Sequence, residues 1–258
     1  MKFLFIVQGE GRGHFTQAIT LEEMLLRNGH EVVEVLVGKS STRTLPGFFN
    51  RSIHAPVKRF ISPNFLPTAD NKRANLTKSF AYNLLRLPEY LRSMYYINQR
   101  IRETGAEVVI NFYELLTGLT YALFRPSVPY ICVGHQYLFL HRDFESPDKN
   151  SCQLWMLRFF TRMTALRSSK KLALSFLEME QDDMNQIVTV PPLIRQEVTA
   201  IRPEKGDYIH GYMVNSGFAD SVESFHAKHP EVPLTFFWDR SDAEEVTRID
   251  ETLSFHQI

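Results

Sequence analysis

Gly9-Glu10-Gly11-Arg12-Gly13-His14 sets three glycines at alternate positions beside a carboxylate, a guanidinium and an imidazole. Glycines so spaced permit backbone angles closed to other residues and let main-chain N–H groups approach a bound group closely. A helix over Phe15 to Arg27 would point its positive end at the same spot, which suits an anionic or polar ligand. His14 adds a group that titrates near neutrality and can take a proton from an attacking hydroxyl. Its rival reading is structural: an imidazole hydrogen-bonded to an open N–H at the helix start. Arg12 suits orienting an anion, and Glu10 suits orienting His14 or meeting a sugar hydroxyl, although both are at home in water.

Other chemistries fail on spacing. A dinucleotide fingerprint needs a third glycine where His14 stands and a carboxylate ending the second strand, where the chain reads Leu36-Val37-Gly38. No nicotinamide cofactor is therefore expected. Gly38-Lys39-Ser40 imitates the end of a phosphate loop, but Val33 occupies the place of its first glycine, so it reads as a surface turn. His135 and His141, with Gln136 between, lack the further ligands a zinc site needs, so they read as polar lining and no metal is expected. Glu178, Glu180, Asp182 and Asp183 read as a solvated helix face. Cys132 and Cys152 fit reduced thiols.

The elements that must position these groups alternate along the chain. Strands are expected at Met1 to Gln8, Glu31 to Val37, Val57 to Ile61, Ala106 to Phe112, Val128 to Val133 and Lys171 to Ser175. Helical spacing occupies Phe15 to Arg27, Asn75 to Glu103 with an interruption at Pro88, Leu115 to Phe124, and Leu154 to Arg167. This rhythm implies an α/β domain, a Rossmann-like parallel sheet with helices on both faces, over residues 1–200. Val188 to Arg202 reads as an exit strand and linker. Residues 201–258 begin a second α/β domain: a strand at Asp207 to Val214, a helix at Gly217 to Lys228, a strand at Leu234 to Trp238, and a polar segment from Asp242. That second piece reads as too small to enclose a core. Ligands of open parallel sheets bind beyond the carboxyl ends of the strands, so the loops at Gly9 to His14, Asn111 to Glu114, Gly134 to Gln136 and near Phe176 converge on one edge.

Composition narrows the partners. Among 258 residues, 44% are hydrophobic and 22% charged, the balance of a soluble globular chain without a spanning helix. Residues 1–201 carry 24 Lys/Arg against 18 Asp/Glu, and 202–258 carry 5 against 11. Net charges of +6 and −6 support a boundary near 200. Between Arg43 and Arg102, 11 basic residues face only Asp70 and Glu89, with Phe48, Phe49, Phe60, Phe65 and Phe80 interspersed. This pattern suits an anionic membrane surface, and equally a solvated helix pair with buried aromatics. No nucleic-acid motif accompanies the charge. A cytoplasmic protein is the expectation, with a peripheral place on the inner face of the cytoplasmic membrane left open by this pattern; the oligomeric state is not legible.

Phe3 to Val37, with Gly9-x-Gly11-Arg12-Gly13-His14, Gln17-Ala18 and Arg27-Asn28-Gly29-His30-Glu31-Val32, resembles the amino-terminal end of GT-B glycosyltransferases. The likeness is to the group containing the peptidoglycan N-acetylglucosaminyltransferase and the UDP-glycosyltransferases. Asn111-Phe112-Tyr113-Glu114, Val133-Gly134-His135-Gln136 and Pro191-Pro192-Leu193-Ile194-Arg195 are similar to later parts of the same domain. The resemblance implies an acceptor-binding first domain and a second domain for a nucleotide-sugar donor, used as co-substrate without a cofactor or protein-held metal. It implies that His14 acts as base or acceptor contact, with Gly9, Glu10, Gly11, Arg12, Gly13, Asn111, His135 and Gln136 lining the substrate. Asn111 stands where many relatives carry an acidic residue, which makes Glu114 the nearest substitute as partner to His14. It also implies a donor domain longer than residues 201–258, so the 258-residue chain alone is expected to be inactive. An epimerase of the same fold and a non-catalytic sugar- or lipid-headgroup-binding module are the rival readings.

Overall fold

The computed structural model describes residues 1–39, 45–64, 66, 76–146, 151–213, 216–238, 240 and 243–257. Ser40, Arg43, Phe65, Asp70, Lys72, Arg73, Asn75, Val214 and Asp242, named above, lie outside the described residues. Two compact units emerge, one of residues 1–64 and 83–200, the other of 65–82 and 201–258.

In the first unit, β1 (Lys2–Gln8), β2 (Glu31–Lys39), β3 (Val57–Ile61), β4 (Val108–Phe112), β5 (Tyr130–Val133), β6 (Lys170–Leu174) and β7 (Ile187–Val190) form one sheet. Their order is β3-β2-β1-β4-β5-β6-β7, and every pairing is parallel. β1 is apolar on both faces because both are covered: Leu4 and Ile6 enter one core, Phe3, Phe5 and Val7 the other. Burying each such side chain contributes about 1.5–3 kcal/mol. One core is completed by α4 (Leu87–Glu103) and α5 (Leu115–Phe124) through Met94, Ile97 and Leu116. The other takes Phe15 and Ile19 from α1 (Arg12–Arg27) and Phe49 from α2 (Gly47–Ser52).

Three expectations for this unit change. The long helical stretch divides into α3 (Leu76–Leu85) and α4, and Pro88 lies in the first turn of α4, where a missing N–H costs nothing. Gly38 and Lys39 are the buried end of β2, not a surface turn. Asp182 is no solvated helix residue: it is buried and accepts hydrogen bonds from the Arg142 N–H, the Asn185 N–H and Asn185 Nδ2. Phe49 and Phe60 are core residues.

The second unit holds β8 (Ile209–Met213), α6 (Ala219–His226), β9 (Leu234–Trp238), β10 (Val246–Arg248) and β11 (Leu253–Gln257), with strand order β10-β11-β9-β8. It does enclose a core, of Met213, Ala219, Leu234, Trp238, Leu253 and Phe255. The supposed polar tail supplies two of these, Leu253 and Phe255, because β11 inserts beside β9 in parallel.

Candidate functional site

β1 has β2 on one side and β4 on the other, and the direction of winding reverses between β1 and β4. Chains leaving those two strands diverge to opposite faces, which opens a crevice at their carboxyl ends. The loop after β1 and the turn after β4 border it.

α1 starts at Arg12, earlier than the apolar pattern indicates, so Arg12, Gly13 and His14 form its first turn after an extended Gly11. None of Gly9, Gly11 and Gly13 takes a positive φ. Their use is space. A Cβ on Gly9 would lie 2.5 Å from the Gly38 carbonyl oxygen, so only glycine lets this turn pass β2. Beside Gly11 and Gly13 nothing lies within 4 Å of such a Cβ, which leaves the helix start open to a ligand. Glu10 and Arg12 are half-buried on either side of Gly11.

His14 is buried, 7% exposed. Its Nδ1 lies 3.2 Å from Gln17 Oε1, one turn along α1, and its Nε2 lies 3.4 Å from Gln136 Nε2. An amide oxygen can only accept, so Nδ1 carries the proton and Nε2 presents a lone pair toward Gln136. Burial pushes the imidazole down to about 4, against the Gln17 hydrogen bond that favours its charged form; His135 lowers it further. His14 is therefore neutral at physiological pH. Tyr113 stacks on it with ring centroids 5.8 Å apart.

Glu114 does not partner His14 by hydrogen bond. It caps the N-terminus of α5, where its Oε1 accepts from Ser62 Oγ at 2.6 Å and from the Leu116 N–H at 3.1 Å. Its Oε2 is buried without a hydrogen-bond partner among the described residues, packed against Gly38. Burial pushes this carboxyl up to about 7, Ser62 and Leu116 work against the rise, and nearby Glu10 adds to it.

Asn111 is fully buried, and its amide is committed to backbone: Nδ2 donates to the Glu114 and Thr164 carbonyls, and Oδ1 accepts from the Glu114 N–H. It shapes the turn after β4. His135 is exposed at the start of a short 3₁₀ helix, His135–Leu140, and partial desolvation of its ring lowers its pKa. His141 is buried and holds the Glu180 carbonyl at 2.9 Å, away from the crevice residues. The structure thus gathers His14, His135 and Gln136, sets Glu10 near Glu114, and adds Gln17 and Tyr113, which the sequence reading did not single out as site residues. Gln17 was findable, since residues three apart on a helix are neighbours. Among the described residues, no group of three His, Cys, Asp or Glu is placed to hold a metal ion.

Three solved structures show what this architecture is similar to. Arabidopsis thaliana UGT89C1 complexed with UDP-L-rhamnose is 14% identical with a TM-score of 0.56, over 99% of this chain and 69% of that one. The UDP-GlcNAc 2-epimerase from Neisseria meningitidis bound to UDP-GlcNAc is 11% identical with a TM-score of 0.59, over 100% and 72%. The glycotransferase of kitacinnamycin is 14% identical with a TM-score of 0.58, over 99% and 70%. Identities this low show the fold alone, which is of the GT-B type. No curated protein sequence matches the chain. The family model described as Glycosyl transferase family 1 matches residues 1–249, and by that match, spanning nearly the whole sequence, the chain belongs to glycosyl transferase family 1.

Proposed function

We propose that the protein transfers a hexosyl or N-acetylhexosaminyl group from a nucleotide sugar to an acceptor hydroxyl held at the β1/β4 crevice. In this reading residues 1–200 are the acceptor side and 201–258 belong to the donor side. The observation that carries it is His14: neutral, oriented by Gln17, with a lone pair on Nε2 beside the open helix start at Gly11 and Gly13. An acceptor displaces Gln136 from Nε2 and gives its proton to that nitrogen as its oxygen bonds to the anomeric carbon. The bond from that carbon to the diphosphate breaks, and the electron pair leaves on phosphate oxygen. Main-chain N–H groups and helix starts offset the charge, with no metal required.

Replacing His14 by Ala should lower turnover about 10²–10⁴-fold, the usual contribution of a positioned base, in a protein that still melts cooperatively. Turnover at the parental rate in a folded His14→Ala protein would reduce His14 to a packing residue. The likeness to a UDP-GlcNAc 2-epimerase supports a second reading. Incubation with donor alone separates the two, because an epimerase converts it without an acceptor.

The acceptor in this reading is lipid-linked or a glycan presented at an anionic membrane surface. Among the described residues, no helix is long and apolar enough to cross a membrane. What supports peripheral contact is the outer side of α3 and α4, where Leu84, Leu85, Leu87, Leu91 and Tyr95 are exposed beside Arg92.

A further inference from the structure

Tyr113 holds a φ of +61°, in the left-handed region that bulky side chains rarely enter. Its surroundings over-determine that conformation. Asn111 Oδ1 accepts from the Glu114 N–H at 3.0 Å, while its Nδ2 donates to the Glu114 carbonyl at 3.2 Å and the Thr164 carbonyl at 2.9 Å. The turn is thereby closed on both sides of Tyr113 and tied to the helix Cys152–Thr164 at its last residue. From that helix, Thr161 Oγ1 meets the Tyr113 hydroxyl at 2.8 Å. The rings of Tyr137 and Phe160 pack against Tyr113 at 5.7 and 5.6 Å.

Backbone strain that persists under such restraint serves a placement that a relaxed turn would not give. Here the placement is the ring, which lies nearly parallel to the His14 imidazole, 19° between planes. Gln17 and Gln136 meet the two nitrogens at the edge of the imidazole, and the Tyr113 ring backs its face.

We propose that Tyr113 is a positioning residue for His14: the Asn111-closed, left-handed turn after β4 lays its ring against the imidazole and fixes the plane in which Nε2 meets the acceptor. The inference deepens the reading of His14 as base and rests on it for its catalytic consequence. It assigns the hydroxyl a lesser part, anchoring the ring to Thr161.

The test compares Tyr113→Phe, which keeps the ring, with Tyr113→Asn, which tolerates a left-handed backbone but removes it. Nuclear magnetic resonance reads the His14 ring, assigned by its loss in His14→Gln. Tyr113→Phe should keep the upfield ring-current shift of the His14 Cε1 proton and the low titration midpoint. Tyr113→Asn should lose that shift, and its midpoint should rise from about 4 toward the ordinary 6.5. Its kcat should fall at least tenfold with a smaller change in KM. A folded Tyr113→Asn protein with the parental His14 shift and midpoint overturns the proposal. Should that variant not fold, Tyr113→Gly relieves the same backbone and is read in the same way. A Tyr113→Phe protein that loses the shift and low midpoint also overturns it, since the hydroxyl would then be what matters. If Tyr113→Asn moves the His14 titration while His14→Ala leaves turnover intact, positioning stands and the base reading falls.

Discussion

His14 and Glu114 are two buried titratable groups whose pKa values move toward each other's range, with opposite consequences for stability. His14 has a pKa of about 4 in the fold, below its ordinary 6.5, because burial disfavours the imidazolium. Between those values the unfolded chain binds the proton and the folded chain does not, so stability falls as pH falls from about 6.5 to 4. Glu114 has a pKa of about 7 in the fold, above its ordinary 4.5, because burial disfavours the carboxylate. The unfolded chain then ionises first, so stability falls as pH rises from about 4.5 to 7. Each displacement corresponds to about 3 kcal/mol, and over the shared window of about pH 4.5–6.5 the two nearly cancel. Urea midpoints of the parental protein should therefore carry little slope from this pair. With His14→Gln the midpoint should fall as pH rises through that window, and with Glu114→Gln it should rise. Parental slopes in both variants would mean that water reaches these groups. His14 was legible from the sequence because a titratable side chain beside alternate glycines is unusual. The commitment of Glu114 to Ser62 was not, since 52 residues separate partners that only the β2–β3 edge brings together.

At the level of elements, strand positions were legible wherever an apolar run was bounded by turn residues, as in β1, β4 and β9. β10 and β11 were hidden because β11 buries only Leu253 and Phe255 and alternates them with polar residues. The start of α1 was misplaced for a related reason: Arg12 and Gly13 carry no apolar signal, yet backbone geometry already makes them helical. That start separates the roles of two glycines. Gly13 lies in a first helical turn with open space around it, so Gly13→Ala should leave the fold intact or stabilise it by up to about 1 kcal/mol through helix propensity. If a ligand approaches this backbone, the same methyl should weaken acceptor binding or turnover. Gly9→Ala should do the reverse, driving a methyl into the Gly38 carbonyl and lowering the melting temperature. Thermal melts paired with activity distinguish the two. Loss of stability in both variants would make the loop a packing feature only.

At the scale of the molecule, family membership sets the reaction class, and the surface bears on where the acceptor is met. Basic residues among phenylalanines left a membrane face and buried aromatics both open, and Phe49 and Phe60 are in the core. Arg100 is held by Glu34 through two hydrogen bonds of 2.8 and 2.9 Å, and Arg86 pairs with Glu89. Pattern alone could not separate buried aromatics from exposed ones, because Phe49 on α2 and Phe60 on β3 each have a polar or basic neighbour just as an exposed ring would. The apolar groups left outside are different ones. α4 already fills the core with Tyr90, Met94, Ile97 and Ile101, so Leu91, 55% exposed, and Tyr95, 63% exposed with its ring against Phe124, lie outside it. With Leu85 at 84% exposure and Arg92 alongside, they form a surface that gains by leaving water for an anionic interface. Each basic residue near such a surface contributes about 1 kcal/mol, an attraction that salt screens. The protein should therefore sediment with vesicles containing phosphatidylglycerol at low ionic strength and much less with pure phosphatidylcholine. Leu91→Glu with Tyr95→Glu should reduce that binding at least tenfold while keeping a cooperative melt, since the double substitution removes only the ring contact of Tyr95 with Phe124 at the margin of the core. Equal binding to both vesicle types, or binding indifferent to the double substitution, would remove the membrane from this reading and leave a soluble acceptor.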